Sequence, residues 1–266
     1  MSVLVAIPAR HASTRYPGKP LVELRGAGGA ARSLIRRSWE AAMAVGGVDR
    51  VVVATDDDRI AEHARGFGAE VVMTSSACRN GTERCAEVLE RLGETPEIVV
   101  NLQGDAPLTP AWFVEDLVAG LRAAPQAQVA TPVLRADART LAGFRADRAA
   151  GRVGGTTAVF GDGGRALYFS KEVIPYCAPD YPDGATTPVF HHVGVYAYRP
   201  AALAAYARAA AGVLEELEGL EQLRFLEQGI DVLCVEVEAR GRQFWELNNP
   251  ADVPVIEAML LEMGLD

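Results

Sequence analysis

A chain of 266 residues, 49% hydrophobic and 23% charged, can bury a sizeable core without disulfide or metal staples. Its net charge of -9 and isoelectric point near 5.1 exclude the broad basic face that a nucleic-acid or anionic-membrane partner requires, so any anion site must be local. Cys78, Cys85, Cys177 and Cys234 form no Cys-x-x-Cys pair, which points to free thiols in a reducing cytoplasm rather than a zinc or disulfide framework. No basic leader and no apolar run long enough to span a bilayer is found, so a cytoplasmic protein without a membrane partner is expected.

In chain order, the apolar spacing predicts a strand over 3–7, a helix over 34–45, a strand over 50–54, a helix over 57–67 and a strand over 70–73. A helix over 82–92 and a strand over 98–102 continue the alternation, which reads as βαβ units on a mostly parallel sheet. A helix over 111–121 and a strand over 129–134 follow. Further strands are expected over 156–160, 166–170 and 193–198, with an excursion rich in Pro, Gly and Asp over 176–189. A helix over 219–228, a strand over 232–237 and a helix over 250–263 complete the chain, read as one α/β domain with an inserted arm.

The first strand feeds a loop that carries Arg10, Arg15 and Lys19 and no carboxylate before Glu23. In open α/β sheets ligands sit beyond the carboxyl ends of the strands, so these cations would stand over the crevice. An undiluted cationic loop in an acidic protein points to a nucleoside triphosphate, with Ser13 and amides freed by Gly18 adding donors. The same cations would stabilise charge on a departing pyrophosphate. The strand over 98–102 ends on Gln103-Gly104-Asp105, and a carboxylate there is suited to a Mg²⁺ bridging phosphate oxygens, so Asp105 is the candidate metal ligand. Asn80-Gly81-Thr82-Glu83-Arg84 opens a helix, where Thr82 and Arg84 could meet the nucleotide. Of His191 and His192, neighbours on a strand, at most one can face the site. Glu221 and Arg224 are one helical turn apart, the spacing of a surface ion pair.

Two glycine patterns point elsewhere. Gly26-Ala-Gly28-Gly-Ala-Ala31 matches a dinucleotide fingerprint, yet it does not close the first strand of a βαβ unit. Gly18-Lys19-Pro20 lacks the upstream Gly and following Ser or Thr of a phosphate-binding P-loop.

The chain resembles the 3-deoxy-manno-octulosonate (KDO) cytidylyltransferases, or CMP-KDO synthetases, among the sugar-acid nucleotidyltransferases. The resemblance rests on Ile7-Pro-Ala-Arg10-x-Ala-Ser13-Thr-Arg15-x-Pro-Gly18-Lys19-Pro-Leu21, Ala54-Thr55-Asp56, Gly81-Thr82-Glu83-Arg84 and Val100-Asn101-x-Gln103-Gly104-Asp105-x-Pro107. Ala166-Leu-Tyr168-Phe-Ser170, Ile174-Pro175, His192-x-Gly194-x-Tyr196 and Leu220-Glu221-Gln222-Leu223-Arg224 extend it over nearly the whole length. It implies a Rossmann-like, three-layer, glycosyltransferase-A-like fold with an inserted dimer-contact arm at about 171–192. It also implies a cytoplasmic, Mg²⁺-dependent homodimer that couples CTP to a 2-keto-3-deoxy sugar acid and releases pyrophosphate. By that likeness Arg10, Ser13 and Lys19 hold phosphates, Asp105 the metal, and Gln103, His192, Tyr196, Glu221 and Gln222 the sugar acid.

Departures from the family pattern fall on the acceptor and metal side. Asn248 stands in Leu247-Asn248-Asn249-Pro250 where the family has an Asp ligand, and an amide oxygen coordinates Mg²⁺ without bringing charge. Ala106, His191 and Thr157 replace the family's Glu, Arg and Lys. These leave open the same reaction on another ulosonate or a sialic-acid-like acceptor, or a nucleotide-binding relative without catalysis; a dehydrogenase built on Gly26–Ala31 is the remaining alternative.

Overall fold

The computed structural model describes residues 2–12, 16–153, 155–177, 180–242 and 245–266. The chain divides into two compact units, Met1–Glu115 with Ala239–Asp266, and Asp116–Glu238.

The first unit is built on β1 (Val3–Ala9), β4 (Arg50–Thr55), β5 (Glu70–Met73) and β6 (Ile98–Leu102), all parallel in the order β5-β4-β1-β6. A short hairpin, β2 (Glu23–Arg25) with β3 (Ala31–Ser33), precedes α1 (Leu34–Met43). The β-branched runs of β1, β4 and β6 are buried on both faces, which is why they read as continuous apolar stretches. Short polar side chains start the helices. Ser33 accepts from Arg36 N ahead of α1, Asp57 from Arg59 N ahead of α2 (Asp58–Gly66), and Asn80 from Glu83 N ahead of α3 (Gly81–Leu92). Helix α4 (Ala111–Ala123) spans the division between the units.

The second unit is organised around β7 (Val129–Asp137), which is antiparallel to β10 (Thr186–His192) and β11 (Val195–Tyr198) and parallel to β12 (Val232–Glu236). β8 (Thr156–Phe160) and β9 (Ala166–Ser170) form an antiparallel pair joined to β10 through β8. Helices α5 (Ala138–Ala149), α6 (Pro200–Arg208), α7 (Val213–Glu218) and α8 (Leu223–Glu227) complete it. The chain then returns to the first unit with α9 (Asp252–Glu262).

Several elements were not anticipated, among them α6, α7 and the β2–β3 hairpin. Helix α5 buries only Leu141 and Phe144, and its Ala- and Arg-rich surface hides the helical period, although Asp137 caps it at Thr140 N. β10 takes up the last four residues of the expected excursion: Thr187 and Val189 are buried while Thr186 and Pro188 are exposed. Its register against β7 shifts between Thr186 and Phe190, where Pro188 is accommodated without a ladder donor. The fingerprint-like glycines form the β2–β3 turn. A Cβ on Gly26 would lie 2.6 Å from Asp266 Cα, and Gly28 N donates to Asp266 Oδ1 at 2.6 Å. Those glycines make room for a carboxylate of the chain itself, not for a dinucleotide.

Candidate active site

In the first unit, β1, β4 and β6 are parallel neighbours, with Ala9 beside Thr55 and Ala6 beside Asn101, so their following loops leave from one edge. Arg10 is exposed at the end of β1. Gly18 sits at φ 71°, in the left-handed region, and its N–H donates to His11 O at 3.0 Å. A Cβ there would lie 3.1 Å from His11 Nε2, so glycine lets the loop pinch shut before the turn Lys19–Leu21. Lys19 Nζ then lies 2.7 Å from Asp105 Oδ2. The candidate phosphate cation and the candidate metal ligand, far apart in sequence, are brought into contact. Ser13 and Arg15 lie outside the described residues.

Close backbone approach sets this edge. A Cβ on Gly104 would stand 2.7 Å from Pro8 O, and Ser38 Oγ donates to Gly104 O at 3.1 Å. A Cβ on Gly81 would stand 2.9 Å from Asn101 Nδ2 and 3.0 Å from Gln103 Nε2, so the N-terminus of α3 presses on the end of β6. That terminus presents its amides and positive dipole end beside Gln103. Thr82 is buried in the first turn of α3. Arg84 is also buried; it donates to Thr74 Oγ1 and lies 3.5 Å from Asp56 Oδ1, bracing the loops after β5 and β4.

Leu247 N donates to Asp105 O at 3.0 Å, which sets the segment carrying Asn248 beside Asp105. Asn248 Nδ2 is 3.4 Å from Glu246 Oε2. Asp252 accepts from Asn248 N at 2.9 Å, Asn249 N at 2.6 Å and Trp245 Nε1 at 3.0 Å. Burial opposes its ionisation, but the Trp245 and backbone donors outweigh that and hold its pKa below the usual carboxylate range. Asp252 is thus occupied in shaping the turn. Among the described residues no group of three His, Cys, Asp or Glu comes together. One carboxylate and one amide oxygen nonetheless fit Mg²⁺, which keeps several waters and borrows phosphate oxygens rather than filling an all-protein cage.

In the second unit, His192 on β10 is buried, with Nε2 2.9 Å from Thr131 Oγ1 and its ring against Phe169 and Tyr196. Burial, with a smaller push from His191, drives its pKa down to about 3. Tyr196 donates from its hydroxyl to Gln222 Oε1 at 3.1 Å. Gln222 is 1% exposed, and its Nε2 has no hydrogen-bond partner among the described residues. A buried amide left in that state costs about 1–3 kcal/mol and so marks a place where a ligand acceptor belongs. The carbonyl of Glu221 accepts from Tyr206 Oη at 3.2 Å. Arg224 is buried rather than at the surface, and it meets buried Glu215, Nε to Oε2 at 2.6 Å and Nη2 to Oε1 at 2.7 Å. Its guanidinium also covers the Tyr206 ring at 3.8 Å. This bidentate pair anchors α7 to α8, the helix that follows Gln222.

His191 and Thr157 are register partners on β10 and β8 and lie on the face opposite His192. His191 packs edge-on against Phe144, and burial lowers its pKa to about 4. Thr157 Oγ1 donates to Glu172 O at 2.6 Å and accepts from Ile174 N at 3.2 Å. The residues that stand in place of the two family cations therefore lie together away from the His192 face, and Thr157 fastens the start of the arm. Within the arm, Val173, Cys177 and Tyr181 pack on Ala136, Leu141 and Val189, while Tyr176 is exposed.

Sequence reasoning gave no role to Asn101, quoted only within a family block, and passed over Thr131; both are without exposure. Each is a polar residue within an apolar strand, and burial of such a group without a partner is costly, which is the signal that could have found them.

A family model described as cytidylyltransferase matches residues 4–232. The chain is 45% identical over 265 residues to the 3-deoxy-manno-octulosonate cytidylyltransferase of Maricaulis maris, covering 99% of each. It is 38% identical over 270 residues to the mitochondrial 3-deoxy-manno-octulosonate cytidylyltransferase of Arabidopsis thaliana, covering 99% of this chain and 84% of that one. A solved structure of CMP:2-keto-3-deoxy-manno-octonic acid synthetase complexed with CTP superposes with a TM-score of 0.82 at 32% identity, over 99% of this chain and 100% of that one. The chain belongs to the 3-deoxy-manno-octulosonate cytidylyltransferase family. Among the described residues, no helix is long and apolar enough to cross a membrane.

Proposed function

We propose that this chain couples CTP to 3-deoxy-manno-octulosonate, forming the CMP-sugar and releasing pyrophosphate. Carrying this reading is the triphosphate apparatus: Lys19 in contact with Asp105 where β1 and β6 end, in a chain alike over nearly its whole length to a CTP-complexed synthetase.

Arg10 and Lys19, with Ser13 and Arg15, bind the triphosphate and neutralise charge on the departing pyrophosphate. Thr82 lies under the nucleotide in the first turn of α3, and Arg84 holds the neighbouring loops in place through Thr74 and Asp56. The acceptor's anomeric oxygen attacks the α-phosphorus, its bond to the pyrophosphate oxygen breaks in line, and the hydroxyl proton leaves to solvent. Such a reaction asks for positioning and charge stabilisation rather than a side-chain nucleophile. His192, Tyr196, Glu221 and Gln222 of the second unit contact the sugar acid, and the Gln222 amide suits one of its oxygens. Asp105 and the Asn248 side chain would hold Mg²⁺, which when bound supplies charge neutralisation across the phosphate oxygens. The arm that begins at Lys171 serves a homodimer contact, and the four free cysteines suit a cytoplasmic enzyme.

The KDO reading gains from the placement of His191 and Thr157, since their departure from the family pattern does not touch the His192 face. The test is Mg²⁺-dependent pyrophosphate release from CTP with KDO, beside UTP and ATP and an acceptor-free blank. Release confined to CTP with KDO upholds the reading. No release with KDO, together with release on another ulosonate, would overturn the acceptor.

A further inference from the structure

The contacts of His192 bear on which of its nitrogens carries hydrogen. Nε2 lies 2.9 Å from Thr131 Oγ1. The same Oγ1 lies 2.8 Å from Val195 O and 3.3 Å from Val193 O, and carbonyl oxygens only accept. The single hydroxyl proton of Thr131 is therefore spent on a carbonyl, and its oxygen meets His192 as an acceptor. In that arrangement His192 donates from Nε2. Burial keeps the imidazole neutral, so Nδ1 carries a lone pair and no proton. The strand register supports the arrangement: His192 pairs with Val133, two residues beyond Thr131 on β7, which puts Thr131 and His192 on one face. Phe169 and Tyr196, at centroid distances of 5.0 and 5.6 Å, fix the plane of the ring.

We propose that Thr131 is a positioning residue for the acceptor, locking His192 in the Nε2–H tautomer so that Nδ1 accepts a hydrogen bond from a hydroxyl of the sugar acid. The inference rests on the reading that His192 contacts the acceptor. It deepens that reading by naming what His192 requires, which is a donor. An acceptor analogue with that hydroxyl removed or oxidised to a carbonyl would lose the bond, and in the second case would set lone pair against lone pair.

The experiment combines histidine nitrogen NMR of the full ¹⁵N-labelled protein with steady-state kinetics; His192 signals are assigned by their loss in His192→Gln. The expected wild-type spectrum shows a protonated Nε2 and an unprotonated Nδ1. Thr131→Val should shift the tautomer balance toward Nδ1–H and lower kcat/KM for KDO by about tenfold, with KM for CTP unchanged. Thr131→Ser should restore both. A protonated Nδ1 in the wild type, or Thr131→Val as active toward KDO as the wild type, would overturn the proposal. The spectra need no turnover, so a tautomer lost in Thr131→Val upholds the Thr131 role even if KDO is not consumed, and the acceptor assignment alone then fails. Should Thr131→Val not bind CTP, Thr131→Ser and Thr131→Cys decide the matter: serine keeps the Nε2–H tautomer, and cysteine, a weak acceptor, loses it. Retention of that tautomer in cysteine would count against Thr131.

Discussion

Lys19 Nζ lies 2.7 Å from Asp105 Oδ2, joining the loop after β1 to the loop after β6. Neither group is fully shielded, so the pair adds at most about 1 kcal/mol to stability. Its value is geometric, because it sets a cation and a carboxylate side by side where phosphate is proposed to bind. Lys19→Ala should lower kcat by about 10²–10³-fold while leaving the KM for KDO little changed. Asp105→Asn should abolish Mg²⁺-supported pyrophosphate release. Wild-type kcat in Lys19→Ala would remove that side chain from the reaction.

Asn248→Asp returns a charge to the segment that Leu247 ties to Asp105. The Mg²⁺ concentration for half-maximal activity should fall severalfold. Direct Mn²⁺ binding, followed by paramagnetic resonance with no substrate turnover, should tighten in parallel. An unchanged metal dependence in both measurements would exclude residue 248 as a ligand.

Gly104→Ala would place a methyl 2.7 Å from the backbone oxygen of Pro8, which cannot swing aside as a side-chain tip could. A loss of about 1–3 kcal/mol is expected from that overpacking, read as a lower urea midpoint. Gly143→Ala, in α5 with nothing within 4 Å of the added Cβ, should instead stabilise by up to about 1 kcal/mol. Equal effects at the two positions would mean that the β1–β6 approach is not tight.

Burial lowers the pKa of His191 to about 4 and of His192 to about 3, against an ordinary value of 6.5. Between those values the unfolded chain binds more protons than the folded one, so the stability is present above pH 6.5 and is lost as pH falls, toward 4 for His191 and toward 3 for His192. Each histidine contributes up to about 1.4 kcal/mol per pH unit across that window. His191→Leu should remove part of the slope of urea-derived stability against pH. The carboxylates held below their usual range, such as Asp57, Glu70 and Asp137, also lose stability as pH falls but only around and below their ordinary values of 3.8 to 4.5, so the histidine slope is read in the upper part of the window, just below pH 6.5.

The parallel half of the fold was legible because β1, β4 and β6 are buried on both faces and their apolar runs end at turn residues. Where only one or two side chains face the core, as in α5, or where a proline falls inside a strand, as in β10, the pattern carries too little contrast to be read. Candidate site residues could be named one by one from strand ends and family blocks, but not their partners. Arg224 meets Glu215, nine positions before it, with two of its nitrogens at once, the kind of partner a buried guanidinium calls for and one that helical spacing does not point to. That adjacent His191 and His192 serve opposite faces was legible from the strand period, whereas their partners on β8, Thr157 and Thr156, come only from the register.

The segments bearing Lys19, Asp105 and Asn248 also share a single apolar cluster, in which Leu24, Leu34, Leu108, Leu247, Ile256 and Leu260 are joined by Tyr16 and Val22. Asp266 adds a tie from beyond α9 to the β2–β3 turn. Three stretches far apart in sequence thus have no separate route to opening: amide hydrogens at 20–25, 105–108 and 247–260 should exchange as one cooperative body, and a cavity made at Leu247 should loosen the phosphate loop more than two hundred positions earlier in the chain.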